Sequence, residues 1–359
     1  MDKINSRHLI FIFMALPVVS IKTYPTIYTI NSRENSWISI IIASLIIITL
    51  YLFILKVFIN ENHFNIYEIY TKALGNIIGK IFLLLYIFSM FLTLIECCSV
   101  ESNSMNNNLL FNTPSWMFIL ALVIPAFYIL RKNYSSLITV TVISLSAVAI
   151  SGMNLAILTE RYKDYSYLIP VSKILNIDFI KSIIKLLGLY GSTLIALPFF
   201  CDIVDKNKIK KFTLISLLIV IQISVVGVIG VISTYGERIN YLVYPKLTQT
   251  QLINYFDFIQ FGELYVLLQM VIGWTIKFTI VLCSIKKLLF MLNFNSTILS
   301  YLLGTIAAFF SIFLSSNYFN LFIFLNYYSY ISFINFILIP ALVFFLYYFK
   351  KKKNKAVQL

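Results

Sequence analysis

The chain has 359 residues; 60% of them are hydrophobic, only 12% are charged, and the formal net charge is +14. A soluble domain cannot bury so much apolar surface, and the charged fraction is about half the usual share. We therefore predict a polytopic membrane protein. The lysines lie between apolar runs and not on one face, so they indicate membrane topology and argue against a nucleic-acid partner.

Ten apolar runs, taken in chain order, approach the length of about 20 residues that a membrane-spanning helix needs. Strand-like alternation is absent from the sequence, so we predict a helix bundle and not a barrel. The predicted fold class is an all-α polytopic membrane protein with ten transmembrane helices. The spans are 9–30, 37–57, 80–100, 115–131, 136–158, 183–203, 212–234, 262–285, 297–315 and 327–349.

Three segments between the spans are predicted to carry structure of their own. Residues 65–75, NIYEIYTKALG, are too polar to span and predict a short amphipathic helix at the membrane surface. Residues 167–185 and 241–258 predict structured external connections.

The distribution of Lys and Arg predicts the orientation. These residues are concentrated in the segments on the side of the N-terminus, including 206–211 and the basic tail 350–359. By the positive-inside rule, both termini are expected in the cytoplasm, which agrees with an even number of spans.

The chain is predicted to be one membrane domain built from two repeats, residues 9–158 and 183–349. Span one contains ALPVVSIKTYP, 15–25, and span six contains LGLYGSTLIALPFF, 187–200. Each has helix-weakening residues followed by a proline, and interrupted helices at matching positions indicate a transporter binding site. Five spans are an odd number, so the second repeat is inverted. We predict that residues 17–22 and 188–192 are non-helical and face each other near the midplane.

A broken helix at membrane depth is tolerated where it is buried in protein or lines a wet cavity. The freed N–H groups at a helix N-terminus can bind a carboxylate. We therefore predict a ligand pocket between the two breaks, although Pro17 could simply kink a helix while Lys22 extends to the interface. The predicted ligand-binding residues are Val18, Val19, Ser20, Lys22, Tyr24, Glu96, Tyr190, Gly191, Ser192, Trp274 and Thr275.

Four ionisable residues fall in or near the spans, where an unpaired charge is costly and a function is the default expectation. Lys22 and Glu96 are both expected toward the outer half, within reach of each other as a structural ion pair or as ligand contacts. Lys277 is expected to be buried and paired, and Glu263 to lie at the start of span eight. The sequence contains no catalytic triad, nucleotide loop or metal cluster, so we expect neither enzyme activity nor a cofactor or metal.

Several stretches, in order, resemble the GerB-type endospore germination permeases, the B subunits of nutrient germinant receptors. The resemblance covers nearly the whole chain, and no single motif is diagnostic. The stretches are INSRHLIFIF at the start, YP at 24–25 before ENSWISIIIASL, FNIYEIYTKALGNIIGKIFLLLY, LLFNTPSWMFI, LIPV at 168–171, LYGSTLIALPFF, YGERINYLVYPKL and FIQFGELYVLLQMVIGWTIKF.

This resemblance implies membership of the amino acid–polyamine–organocation transporter superfamily, with a 5+5 inverted repeat and discontinuous helices one and six. It further implies a location in the spore inner membrane. The implied partners are a membrane-embedded A subunit, a lipid-anchored C subunit and a small nutrient, often an amino acid, whose binding triggers germination.

The sequence departs from the family at the breaks. The first break has no glycine, and Gly191-Ser192 stands where the family often has Gly-Glu, which removes a carboxylate. In span eight, Gly262-Glu263 stands where the family has Arg-Glu, so the carboxylate stays and its neighbouring cation is lost. Two other functions stay open. One is a proton-coupled amino-acid permease, which the fold alone cannot separate from a receptor. The other is an assembly subunit whose own pocket is vestigial, which the missing glycines favour.

Overall fold

Long apolar helices make up most of the chain in the computed structural model, which describes residues 4–61, 64–169, 176–255, 259–260 and 262–357. Part of the predicted connection 167–185, residues 170–175, and the tail residues 358–359 lie outside this range. The helices are α1 Leu9–Ala15, α2 Val18–Thr23, α3 Thr26–Ser32, α4 Ser36–Glu61, α5 Ile66–Leu74, α6 Asn76–Asn108, α7 Ser115–Arg131, α8 Tyr134–Leu158, α9 Ile177–Gly191, α10 Ile209–Tyr235, α11 Pro245–Gln251, α12 Glu263–Met291, α13 Ser296–Ser315, α14 Tyr318–Ser332 and α15 Ile339–Val357.

Shorter elements join these helices. Phe333–Leu338 is a π-helix that links α14 to α15. The strands β1, Asn254–Tyr255, and β2, Ile259–Gln260, form an antiparallel pair between α11 and α12, and β1 lies in the predicted connection 241–258. The 3₁₀-helices are Ser6–His8, Arg33–Asn35, Glu160–Tyr162, Tyr165–Leu168, Ser192–Asp202, Lys206–Lys208 and Gly236–Tyr241.

The predicted all-helical membrane fold is confirmed. Within the described residues, nine helical stretches are long and apolar enough to cross a membrane, and Ser115–Arg131 is a shorter apolar helix of 17 residues. All ten predicted spans fall on helices. The amphipathic segment forms α5. Asn65 caps its N-terminus, where the Asn65 side chain accepts a hydrogen bond from Tyr67 N at 3.0 Å. The helix buries Ile69 and Tyr70. The number of crossings, the two repeats and the single-domain boundaries stay predictions.

The first span is interrupted, but not over the predicted residues 17–22. Residues 18–23 are helical, and the breaks lie on either side, at Leu16–Pro17 and Tyr24–Pro25. A proline is tolerated at the start of a helix, where its missing N–H needs no partner. Pro17 therefore begins α2, and its carbonyl accepts the bond from Ile21 N at 3.0 Å.

The sixth span is also interrupted, but the irregular backbone begins further along the chain than predicted. Residues 188–191 belong to α9, and the backbone changes to a 3₁₀-helix only from Ser192 to Asp202. The glycines serve close packing and not a break. A Cβ on Gly188 would lie 1.9 Å from Ser329 O, and one on Gly191 would lie 3.0 Å from Phe336 Cβ. Glycine here lets α9 approach the α14–α15 helix.

The segments predicted to face the cytoplasm lie at one end of the bundle. Ile4 pairs with Ile203, and Ser6 N donates to Asp205 Oδ1 at 2.6 Å. Near the other terminus, Lys350 Nζ donates to Lys72 O at 3.3 Å. These contacts agree with the predicted arrangement of segments, while the cytoplasmic assignment itself stays a prediction.

Candidate functional site

A buried ion pair lies where α2, α6 and α12 meet. Glu96 of α6 and Lys277 of α12 are 0% and 1% exposed, and Lys277 Nζ lies 2.7 Å from Glu96 Oε2. Ser20 Oγ donates to Glu96 Oε1 at 2.6 Å, the Tyr24 hydroxyl donates to the same oxygen, and Lys277 Nζ donates to Ser20 Oγ at 2.5 Å. We call these four residues the Glu96 cluster.

The local sequence explains the arrangement. Ser20 and Tyr24 are four residues apart at the end of α2, so they share one helix face. Trp274 precedes Lys277 by one turn of α12; its ring stacks on Tyr24 with centroids 6.5 Å apart, and Lys277 Nζ lies 5.2 Å from its centroid. Both oxygens of Glu96 are thus satisfied, as a buried carboxylate requires.

The expected Lys22–Glu96 pair is wrong, because Glu96 pairs with Lys277 instead. Residues i and i+2 of an α-helix lie about 200° apart around the helix axis. Because residues 18–23 are helical, Lys22 lies on the opposite side of α2 from Ser20. Lys22 has no ion pair or hydrogen bond to any other described residue.

That opposite side of α2 lines a cavity of about 430 Å³. The other walls come from α1, α8, α10, α11 and α12, and most of the lining is apolar. The volume lies within the range of about 300–1,000 Å³ that is typical of small-molecule sites. Gly273 of α12 lets α2 approach closely, since a Cβ there would lie 3.2 Å from Val19 Cγ2. The polar side chains of the lining are Lys22, Thr23, Thr159, Lys163, Gln222, Lys246 and Gln269.

The predicted site residues fall into three groups. Val18, Val19 and Lys22 line the cavity. Ser20, Tyr24, Glu96 and Trp274 belong to or contact the Glu96 cluster, on the far side of α2.

The remaining predicted residues line neither feature. The Tyr190 hydroxyl accepts a bond from Ser44 Oγ at 3.3 Å, Gly191 packs on Phe336, and Ser192 Oγ donates to Leu189 O at 2.6 Å. Thr275 lies one residue past Trp274 and accepts a bond from Thr279 through its carbonyl at 2.6 Å. The side chain of Glu263 lies outside the described part. The ligand-binding role of the eleven residues stays a prediction.

Sequence reasoning missed the cavity wall that faces α2. Lys163 and Lys246 come from connections, and Gln222 and Gln269 lie on α10 and α12. The pair Gly227 and Gly230, three residues apart on one face of α10, was the available signal for a surface approached by other groups.

Comparison with known proteins agrees with this architecture. A family model described as spore germination protein matches residues 3–320. No curated protein matches the chain. A solved structure of a Na⁺-coupled sialic acid symporter, in a substrate-bound outward-open state, has a TM-score of 0.59 at 12% identity and covers 87% of this chain and 73% of that chain. This likeness shows a transporter-type fold alone. The match over most of its length shows that the chain belongs to the spore germination protein family.

Proposed function

We propose that the protein is the membrane subunit of a spore germinant receptor, which binds a small nutrient and thereby triggers germination. The observation that carries this proposal is the cavity of about 430 Å³ against α2. The family supports a role in germination, and the cavity has the size and apolar lining of a small-molecule site. An amino acid is the nutrient class that the family resemblance implies.

The position of α2 supports a signalling role for this cavity. α2 has only six residues and lies between two backbone breaks. One side of it lines the cavity through Val18, Val19 and Lys22, while the other is bonded to Glu96 and Lys277. A ligand that binds one position of α2 more tightly shifts the population toward that position. The shift would then alter the bonds of α2 to α6 and α12.

The proposed setting follows the family. The chain would lie in the spore inner membrane with a membrane-embedded A subunit and a lipid-anchored C subunit. Nutrient binding in the cavity would reach these partners through the helices that the Glu96 cluster joins.

The test is to fill the cavity without disturbing its walls. Gly152 of α8 lines the cavity, and a Cβ there meets no atom within 4 Å. We expect spores with Gly152→Leu to lose at least tenfold in nutrient sensitivity, because leucine would occupy ligand space. The matched control is Ser146→Leu, on the exposed side of the same helix. Germination is followed by loss of optical density, and subunit levels by immunoblot.

A normal response from Gly152→Leu spores, at normal protein level, would contradict the proposal and favour an assembly subunit with a vestigial pocket.

A proton-coupled permease is the second candidate, favoured by the transporter-type fold and by the buried Glu96–Lys277 pair. Proteoliposomes separate the two functions. A receptor binds labelled nutrient to saturation without concentrating it, whereas a permease accumulates it when the lumen is made more alkaline than the bath.

A further inference from the structure

Three lysines from three separate parts of the chain converge on one cavity. Lys22 lies in the last turn of α2, Lys163 follows α8, and Lys246 lies on α11; all three line the cavity described above. Among the described residues no Asp or Glu lines it. Three ammonium groups around a mostly apolar space are an unfavourable arrangement unless an anion compensates them.

We propose that this cavity takes an anionic ligand with an apolar body, a monocarboxylate that lacks an ammonium group. This inference rests on the proposed function for the ligand's role as a germinant. It replaces the expectation of a zwitterionic amino acid with a ligand that carries only the carboxylate.

Two of the lysines, Lys22 and Lys163, pack against neighbouring glycines on the cavity-facing side of α10. A Cβ on Gly227 would lie 3.2 Å from Lys22 Cγ, and one on Gly230 would lie 3.5 Å from Lys163 Cε. The two glycines are three residues apart, so the lysine stems cross α10 about one turn apart on one face. Larger residues at either glycine would occupy the path of a lysine stem.

The hydrogen bonds and ion pairs of the three lysines leave a net positive charge at the cavity. Lys163 Nζ is paired with Glu160 Oε2 at 2.6 Å, although the Glu160 side chain is 56% exposed. Lys246 Nζ donates to the neutral Gln249 Oε1 at 2.6 Å. Lys22 bonds to no described residue. Among the described residues, Lys22 and Lys246 therefore have no carboxylate partner.

The third lysine also shows the effect of its neighbours. Burial, together with the charges of Lys22 and Lys163, lowers the pKa of Lys246 to about 7. The other polar side chains that line the cavity from α10 and α12 are the neutral amides Gln222 and Gln269. A bound anion would favour the charged ammonium, so ligand affinity is highest below pH 7 and falls as the pH rises above it.

A zwitterionic amino acid fits this cavity less well than a simple carboxylate. The ammonium group of the amino acid would need an acceptor, and the positive charges of the lysines would repel it. Glu96 cannot serve, since both of its oxygens are already bonded on the far side of α2. The apolar lining suits a branched or straight aliphatic body.

The experiment measures binding to the full chain purified into lipid nanodiscs, by calorimetry, at pH 6 and pH 8. The probes are 4-methylpentanoate, leucine with the same branched end, and 3-methylbutan-1-amine as the cation. We expect 4-methylpentanoate to bind tightest and to bind more weakly at pH 8. Hexadecanoate is the fourth probe, because tighter binding of the long chain would place the ligand's source in the membrane and not in the medium.

The variants test the lysines directly. Lys22→Met and Lys246→Met should each weaken 4-methylpentanoate binding about tenfold, the effect of losing one charged hydrogen bond. Lys22→Arg should retain binding, which separates lost charge from lost folding. Lys56→Met, on the exposed side of α4, is the control.

Tighter binding of leucine than of 4-methylpentanoate, or unchanged binding by both methionine variants, would overturn the inference. Germination keeps the two proposals distinguishable. If 4-methylpentanoate binds as expected but Gly152→Leu spores respond normally to their nutrient, the receptor proposal fails and the ligand class stands. If a zwitterion triggers germination and Gly152→Leu blocks it, the ligand class fails and the receptor stands.

Discussion

Glu96 joins three helices through its two carboxylate oxygens. Its partners are Ser20 and Tyr24 at the end of α2 and Lys277 on α12. A buried ion pair adds little net stability against an apolar replacement, but breaking it leaves one charge without compensation. The Glu96 cluster therefore fixes the relative positions of α2, α6 and α12 more than it adds to the free energy of unfolding.

We expect Lys277→Met to be strongly destabilising, because it leaves the Glu96 carboxylate buried without its cation. The expected loss is about 3–5 kcal/mol. The double variant Lys277→Met with Glu96→Gln should recover most of it, since neither charge remains. Thermal unfolding in detergent measures both, with Lys210→Met, on the exposed surface at the start of α10, as the control. Equal instability of the single and double variants would contradict the charge argument.

At the scale of the elements, glycines decide how closely the helices pack. Gly188 of α9 meets the backbone of α14, whereas Gly152 of α8 faces open space. The sequence shows both simply as glycines within apolar spans. Their different surroundings predict opposite tolerance of a methyl group.

We expect Gly188→Ala to destabilise the fold by about 1–3 kcal/mol or more, because the new Cβ would lie 1.9 Å from Ser329 O and α9 must move. Gly152→Ala, the matched control, should be neutral or slightly stabilising, because it restricts the unfolded chain without a clash. The midpoints of thermal unfolding compare the two. A tolerated Gly188→Ala would show that α9 and α14 are less closely packed than described.

The first span shows how much of the local structure could be predicted from the sequence. Pro17 and Pro25 predicted an interrupted first span, and it is interrupted. The sequence could not show that Pro17 begins a helix, because a proline stops one helix and starts another equally well. Once α2 is helical, Lys22 and Ser20 lie on opposite sides, so the partner of Glu96 could not be predicted without the backbone.

At the scale of the whole molecule, composition was sufficient to predict the fold class, because only a helix bundle accommodates so many apolar runs. The cavity was not predictable in the same way. Lys163 and Lys246 lie 83 residues apart in the sequence, and only the packing of α8, α10 and α11 brings them to one cavity with Lys22. Val18 and Val19 were identified because they lie beside the break, which is a local signal.

The most direct test of the receptor account is equilibrium binding of the nutrient that triggers wild-type spores. Purified wild-type, Gly152→Leu and Ser146→Leu proteins are compared in nanodiscs with the labelled nutrient. The account predicts saturable binding by the wild-type and Ser146→Leu proteins and its loss in Gly152→Leu, because leucine fills the cavity beside α2. Equal binding by all three proteins would contradict the account, since the nutrient would then bind elsewhere.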